Sequence, residues 1–157
     1  MLEQIAVHGL FDLRLIAKGD LDIDPHHTIE DMALALGEAI NQALGDRKGI
    51  IRMGTAVVPM DEALGEVNLD YSGRPYCVFM GEWTGARIGD IPVTLIEHFF
   101  YSLSMRMRAT LHLNLRYGRD DHHKAEALFK ALGRALSAAS RIDPRRINEI
   151  PSSKGVL

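Results

Sequence analysis

Asp24-Pro25-His26-His27-Thr28-Ile29-Glu30 returns 96 positions later as Asp120-Asp121-His122-His123-Lys124-Ala125-Glu126, and this echo decides how the 157-residue chain is read. The match runs on: Ala35-Leu36-Gly37 corresponds to Ala131-Leu132-Gly133. After the first copy, Ile29, Met32, Ala33, Leu36, Ile40 and Leu44 recur at helical spacing. After the second, Ala125, Leu128, Phe129, Leu132, Leu136 and Ala139 do the same. The spacing predicts helices over residues 28–44 and 122–139. Each copy also follows an alternating run. Phe11, Leu13, Leu15 and Ala17 alternate with Asp12, Arg14 and Ile16, while Leu111, Leu113 and Leu115 oppose His112, Asn114 and Arg116. These predict half-buried strands from 11 to near Gly19 and over 110–117. Two related strand-plus-helix halves explain the pattern more economically than two coincidences.

The remaining segments fit between these. Leu2, Ile5 and Ala6 already form a helix face directly after Met1. Residues 20–24 read as a second short strand stopped by Pro25. Strands are expected over 54–58, 63–71 and 75–83, with Ser72-Gly73 as a turn. Pro92 suits the first turn of a helix carrying Leu95, Ile96, Phe99, Phe100 and Leu103. Residues 150–157 have no period and read as a tail. The expectation is an α+β fold of two similar halves, each a mostly antiparallel sheet with helices packed on one face. One domain spans 1–157, divided into halves of about 1–90 and 91–157.

Lys and Arg number 18 against 21 Asp and Glu, a net charge of −3, which speaks against a broad nucleic-acid surface. A 46% hydrophobic and 25% charged composition is that of a globular protein. Cys77 is the single cysteine, so no internal disulfide forms and a reducing cytoplasm is the simpler setting. No apolar run is long enough to span a bilayer, and residues 1–9 do not read as a signal peptide.

At a helix start, side chains at i and i+4 share one face about 6 Å apart. His26 with Glu30, and His122 with Glu126, therefore offer imidazole nitrogen beside carboxylate oxygen, ligands suited to Mn²⁺ or Fe²⁺ rather than a thiolate-bound structural zinc. His27 and His123 project about 100° away, so the repeat suggests two metals, each gathering ligands from more than one element. A lone helix-start histidine is more often a surface residue; two identical pairs with glutamate are not lone. His98, in Glu97-His98-Phe99-Phe100, is a further candidate ligand, whereas His8 and His112 read as structural. Arg52, Arg74 and Ser152-Ser153-Lys154 are candidates for holding an anion. No P-loop and no GxGxxG is present.

The set HHTIED (26–31), EHFF (97–100), DDHHKAEALFKALGRAL (120–136) and PSSKGVL (151–157) resembles the imidazoleglycerol-phosphate dehydratases, over essentially the whole chain. The resemblance implies a cytoplasmic lyase of histidine biosynthesis that converts D-erythro-imidazole glycerol phosphate to imidazole acetol phosphate. It implies two Mn²⁺ per active site, with His26, His27, Glu30, His98, His122, His123 and Glu126 as ligands. By the same resemblance Arg52, Arg74, Ser152, Ser153 and Lys154 bind substrate, and 24 subunits form a shell whose sites combine neighbouring chains. The proton to be removed has no adjacent carbonyl, so a metal-bound imidazole ring is the expected electron sink, through an imidazolate and a diazafulvene-like species. Glu30 and Glu126 are the candidate catalytic carboxylates. No nucleic acid or membrane partner is implied.

The family carries further strands and a histidine ahead of the methionine matched by Met1, so the first half is expected to lack its opening strands and one ligand. The expected consequences are impaired metal binding, weakened activity and altered assembly. The alternative to an active lyase is an inactive metal-binding or assembly subunit of the same fold. A metal-dependent hydrolase ranks below both, since nothing in the anion-binding residues demands hydrolysis.

Overall fold

A computed structural model describes residues 1–157. In chain order the elements are α1 (Leu2–Gly9), α2 (His26–Leu44), β1 (Met53–Met60), β2 (Ala63–Asp70), β3 (Tyr76–Met80), β4 (Arg87–Ile88), β5 (Ile91–Pro92), α3 (Val93–Met107), β6 (Thr110–Tyr117) and α4 (Asp121–Ser140), followed by a 3₁₀ turn, Pro144–Arg146. The main sheet has the order β1-β2-β6-β3. β1 with β2 and β2 with β6 are antiparallel, whereas β3 lies parallel to β6. The parallel pair is joined by α3, the crossover such a pairing requires. β4 and β5 form a separate two-stranded ribbon. No helix is long and apolar enough to cross a membrane.

The alternation in β6 resolves as expected. Leu111, Leu113 and Leu115 are buried, while His112 and Arg116 face solvent. Behind this face, Phe99, Phe100 and Phe129 meet with ring centroids 4.9 to 5.6 Å apart, the aromatic centre of the core. Gly54 and Gly65 lie directly against α4 backbone, so β1 and β2 approach that helix more closely than a side chain would permit.

The repeat is visible in the helix crossings. A Cβ on Gly133 of α4 would stand 2.6 Å from the Ile5 carbonyl and 3.0 Å from the Gly9 nitrogen. On Gly37 of α2 it would stand 2.7 Å from the Leu103 carbonyl and 3.0 Å from the Met107 nitrogen. α1 therefore crosses α4 as α3 crosses α2, and Leu10 and Arg108 close α1 and α3 with the same left-handed turn (φ 59° and 54°).

Two expected strands do not form. Residues 11–17 and 20–24 belong to no ladder, and Ile16 and Ile23 are 80% and 76% exposed. The physical reason is lateral. β6 is hydrogen-bonded on both sides, by β2 and β3, but no strand flanks residues 10–21, and alternation alone cannot satisfy a strand's backbone groups. The same lack shows on the helices. α4, set between the sheet and α1, buries eleven residues, whereas α2, packed mainly on α3, buries four. The main sheet takes strands from both sides of residue 90.

Candidate metal centre and anion corner

The first histidine pair opens α2 behind Pro25, with Asp24 Oδ1 accepting from the His26 nitrogen at 2.6 Å. Because α2 and α3 cross closely at Gly37, the start of α2 faces the middle of α3. His98 Nε2 stands 3.3 Å from Glu30 Oε1, and His26 Nε2 stands 3.9 Å from Glu30 Oε2. The His26 and His98 ring centroids are 4.7 Å apart. One donor atom from each of His26, Glu30 and His98 lies within 4.8 Å of the others. Donors about 2.1 Å from one ion necessarily stand within roughly 4.2 Å of each other, so a small adjustment of side-chain torsions closes this set on a cation. Two imidazoles and a carboxylate suit Mn²⁺, Fe²⁺ or Zn²⁺.

The second pair opens α4, where Asp120 caps the helix by accepting from the His122 and His123 nitrogens. His122 Nε2 lies 3.3 Å from Glu126 Oε2. No histidine within the chain joins this pair as His98 joins the first; instead Lys130 Nζ lies 2.7 Å from Glu126 Oε1. That hydrogen bond holds the Glu126 carboxyl below its ordinary range. An acid and a lysine at i and i+4 share a helix face by spacing alone, the signal that marks Lys130 in the sequence.

His27 and His123 turn away from their neighbours, at ring separations of 6.3 Å with interplanar angles of 75° and 73°. His27 Nδ1 meets Asp20 Oδ2 at 2.9 Å, and His123 Nδ1 meets Glu62 Oε2 at 2.8 Å. Both carboxylates lay outside the sequence reading: Glu62 is 61 positions from His123, and Asp20, seven positions before His27, is brought back to it by a turn that no helical spacing encodes.

The anion candidates gather elsewhere. Arg52 Nε and Nη2 donate to the two Asp70 carboxylate oxygens at 2.6 and 2.9 Å, and its Nη1 donates to the Pro151 carbonyl at 2.7 Å. This side-chain bonding raises the guanidinium further, so it is always charged. Two of its five N–H groups stay uncommitted. The Pro151 contact brings Ser152, Ser153 and Lys154 to the same corner, where Ser152 Oγ accepts from the Lys154 nitrogen at 3.2 Å. Arg74 follows Gly73, which lies against Leu157, and its side chain is exposed. The tail, read as unstructured, therefore lies beside both arginines.

These two corners are separate in one chain. His122 starts α4, while the Arg52 nitrogen donates to the Ala139 carbonyl in its last turn. At 1.5 Å per residue the interval is roughly 25 Å.

The fold and site together define a duplicated α+β protein with a histidine–carboxylate cluster able to hold a metal. The family model for imidazoleglycerol-phosphate dehydratase matches residues 1–136. An imidazoleglycerol-phosphate dehydratase of a Roseiflexus species is 55% identical over all of this chain and 79% of its own length. One from Chloroflexus aurantiacus is 55% identical over all of this chain and 77% of that protein. The crystal structure of the Staphylococcus aureus enzyme superposes with a TM-score of 0.84 at 35% identity, covering 90% of this chain and 80% of that one. The Pyrococcus furiosus enzyme, crystallised in complex with (S)-C348, gives 0.79 at 31% identity over 99% and 83%. The chain belongs to the imidazoleglycerol-phosphate dehydratase family, the metal-dependent lyases of histidine biosynthesis.

Proposed function

We propose that this chain removes water from D-erythro-imidazole glycerol phosphate to give imidazole acetol phosphate, with the imidazole ring held between two Mn²⁺ ions. The observation that carries this reading is the convergence of His26, Glu30 and His98 across two helices. His122 and Glu126 are the matching pair on α4, and His27 and His123, turned outward, are ligands for ions shared with other chains. When bound, the ions supply Lewis-acid polarisation of the ring and of the hydroxyl that leaves.

The chain's own groups divide the remaining work. Glu30 and Glu126 are the carboxylates beside the ring. Lys130, hydrogen-bonded to Glu126, lowers its carboxyl further and favours the ionised form. Arg52, Arg74, Ser152, Ser153 and Lys154 hold the phosphate, with Arg52 braced by Asp70 so that its free N–H groups keep their direction. A phosphorylated imidazole diol extends well under the roughly 25 Å between the two corners. One site must then pair the metal end of one chain with the anion end of another. This supports a homo-oligomer, for which the family resemblance gives 24 subunits. We read residues 1–157 as a single dehydratase domain.

The test is chelation and add-back. After treatment with a chelator the protein is expected to lose dehydration of imidazole glycerol phosphate and to regain it with Mn²⁺ but not Mg²⁺. Tight Mn²⁺ binding with no turnover would instead identify an inactive metal-binding or assembly subunit. The pairing of His122 and Glu126 without a third ligand in the chain is the feature that favours that outcome.

A further inference from the structure

The hairpin joining β1 to β2 turns on Asp61-Glu62 and reaches the opening of α4. Glu62 is held there by three donors. Its Oε1 accepts from the backbone nitrogens of Arg119 and Asp120 at 2.9 and 2.8 Å, and its Oε2 faces His123 Nδ1 at 2.8 Å. Both oxygens are thus committed, and the carboxylate is not placed to bind a metal itself. An ionised carboxylate only accepts hydrogen bonds, so the His123 nitrogen facing it must carry the proton. The other nitrogen, Nε2, is left open, with only the exposed Asp61 carboxylate nearby at 3.9 Å.

We propose that Glu62 is a positioning residue: it fixes the His123 ring in the Nδ1–H tautomer and aims the lone pair of Nε2 outward as a metal ligand. This rests on reading His123 as a ligand. A histidine can coordinate a cation only through an unprotonated nitrogen, and an outer carboxylate on the opposite nitrogen sets which one that is. Asp20 stands in the same relation to His27, 2.9 Å from its Nδ1, but on a more exposed segment and without the two backbone donors that anchor Glu62. The device is therefore stronger in the second half than in the first.

Glu62→Gln tests the assignment with little change of shape. The amide oxygen takes the two backbone N–H groups, so the NH₂ faces His123 and the ring must accept at Nδ1, moving its proton to Nε2. Two measurements are made on the whole protein: the ring ¹⁵N shifts of His123 in the metal-free state, by solid-state NMR, and Mn²⁺ affinity from the free-ion EPR signal. Wild type is expected to show Nδ1–H. Glu62→Gln is expected to show Nε2–H, with Mn²⁺ binding at the His123 site weakened about 10- to 100-fold and the melting temperature nearly unchanged. Nε2–H in the wild-type protein would overturn the proposal even if the variant does not fold. Wild-type affinity in Glu62→Gln would overturn it too, provided that His123→Ala has lost that binding. If His123→Ala binds Mn²⁺ like wild type, the ligand reading beneath the proposal fails instead.

Discussion

Cys77 shows what burial does to a reactive group that has no task. Burial pushes the thiol up to about 11, with Ser104 opposing the rise and the Glu97 carboxylate adding to it. A thiol raised from about 9 to about 11 has roughly 100-fold less thiolate at pH 8. Alkylation of the folded protein by iodoacetamide should be slower than that of the urea-unfolded chain by about that factor, and equal rates would show the strand to be open. The strand expected over residues 75–83, which holds Cys77, needed only its immediate surroundings to be read. His26, Glu30, His122 and Glu126 were legible for a similar reason, since i, i+4 spacing is a local property of a helix. Glu62, Asp20 and Asp70 were not, because each meets its partner through a turn or a strand pairing that no local period encodes.

At the scale of elements, the helix crossings carry the repeat. Gly133 admits α1 against α4, and a Cβ there would meet main-chain atoms that cannot swing aside. Gly133→Ala should therefore destabilise the protein by about 1–3 kcal/mol, the usual cost of overpacking, even though alanine is the better helix former. Urea unfolding checks this: an unchanged midpoint would mean that α1 does not seat on α4 as described. The helices and β6 were legible because their apolar stripes find cover. Residues 11–17 carry an equally clear alternation and form no strand, since their period speaks of side chains and not of whether another strand lies alongside. The parallel β3–β6 pairing was also beyond reach, being a matter of topology.

For the whole molecule, the separation of metal end from anion end decides how the protein must be tested. Arg52→Ala and His122→Ala should each abolish turnover alone. Mixed at equal amounts before reassembly, they should restore activity to about a quarter of wild type, because random pairing leaves that share of sites with both intact corners. No recovery would mean that one chain supplies both corners. A second consequence concerns the run from Leu10 to Asp24, which crosses the surface outside any ladder. It links α1 to α2 along the chain, yet α1 is seated through Ile5 and Gly9 on Gly133 and does not hang from that link. Peptide-bond continuity and structural integrity are thus decoupled here: a cut in the run would leave two fragments that behave as one body until the helix crossing itself gives way.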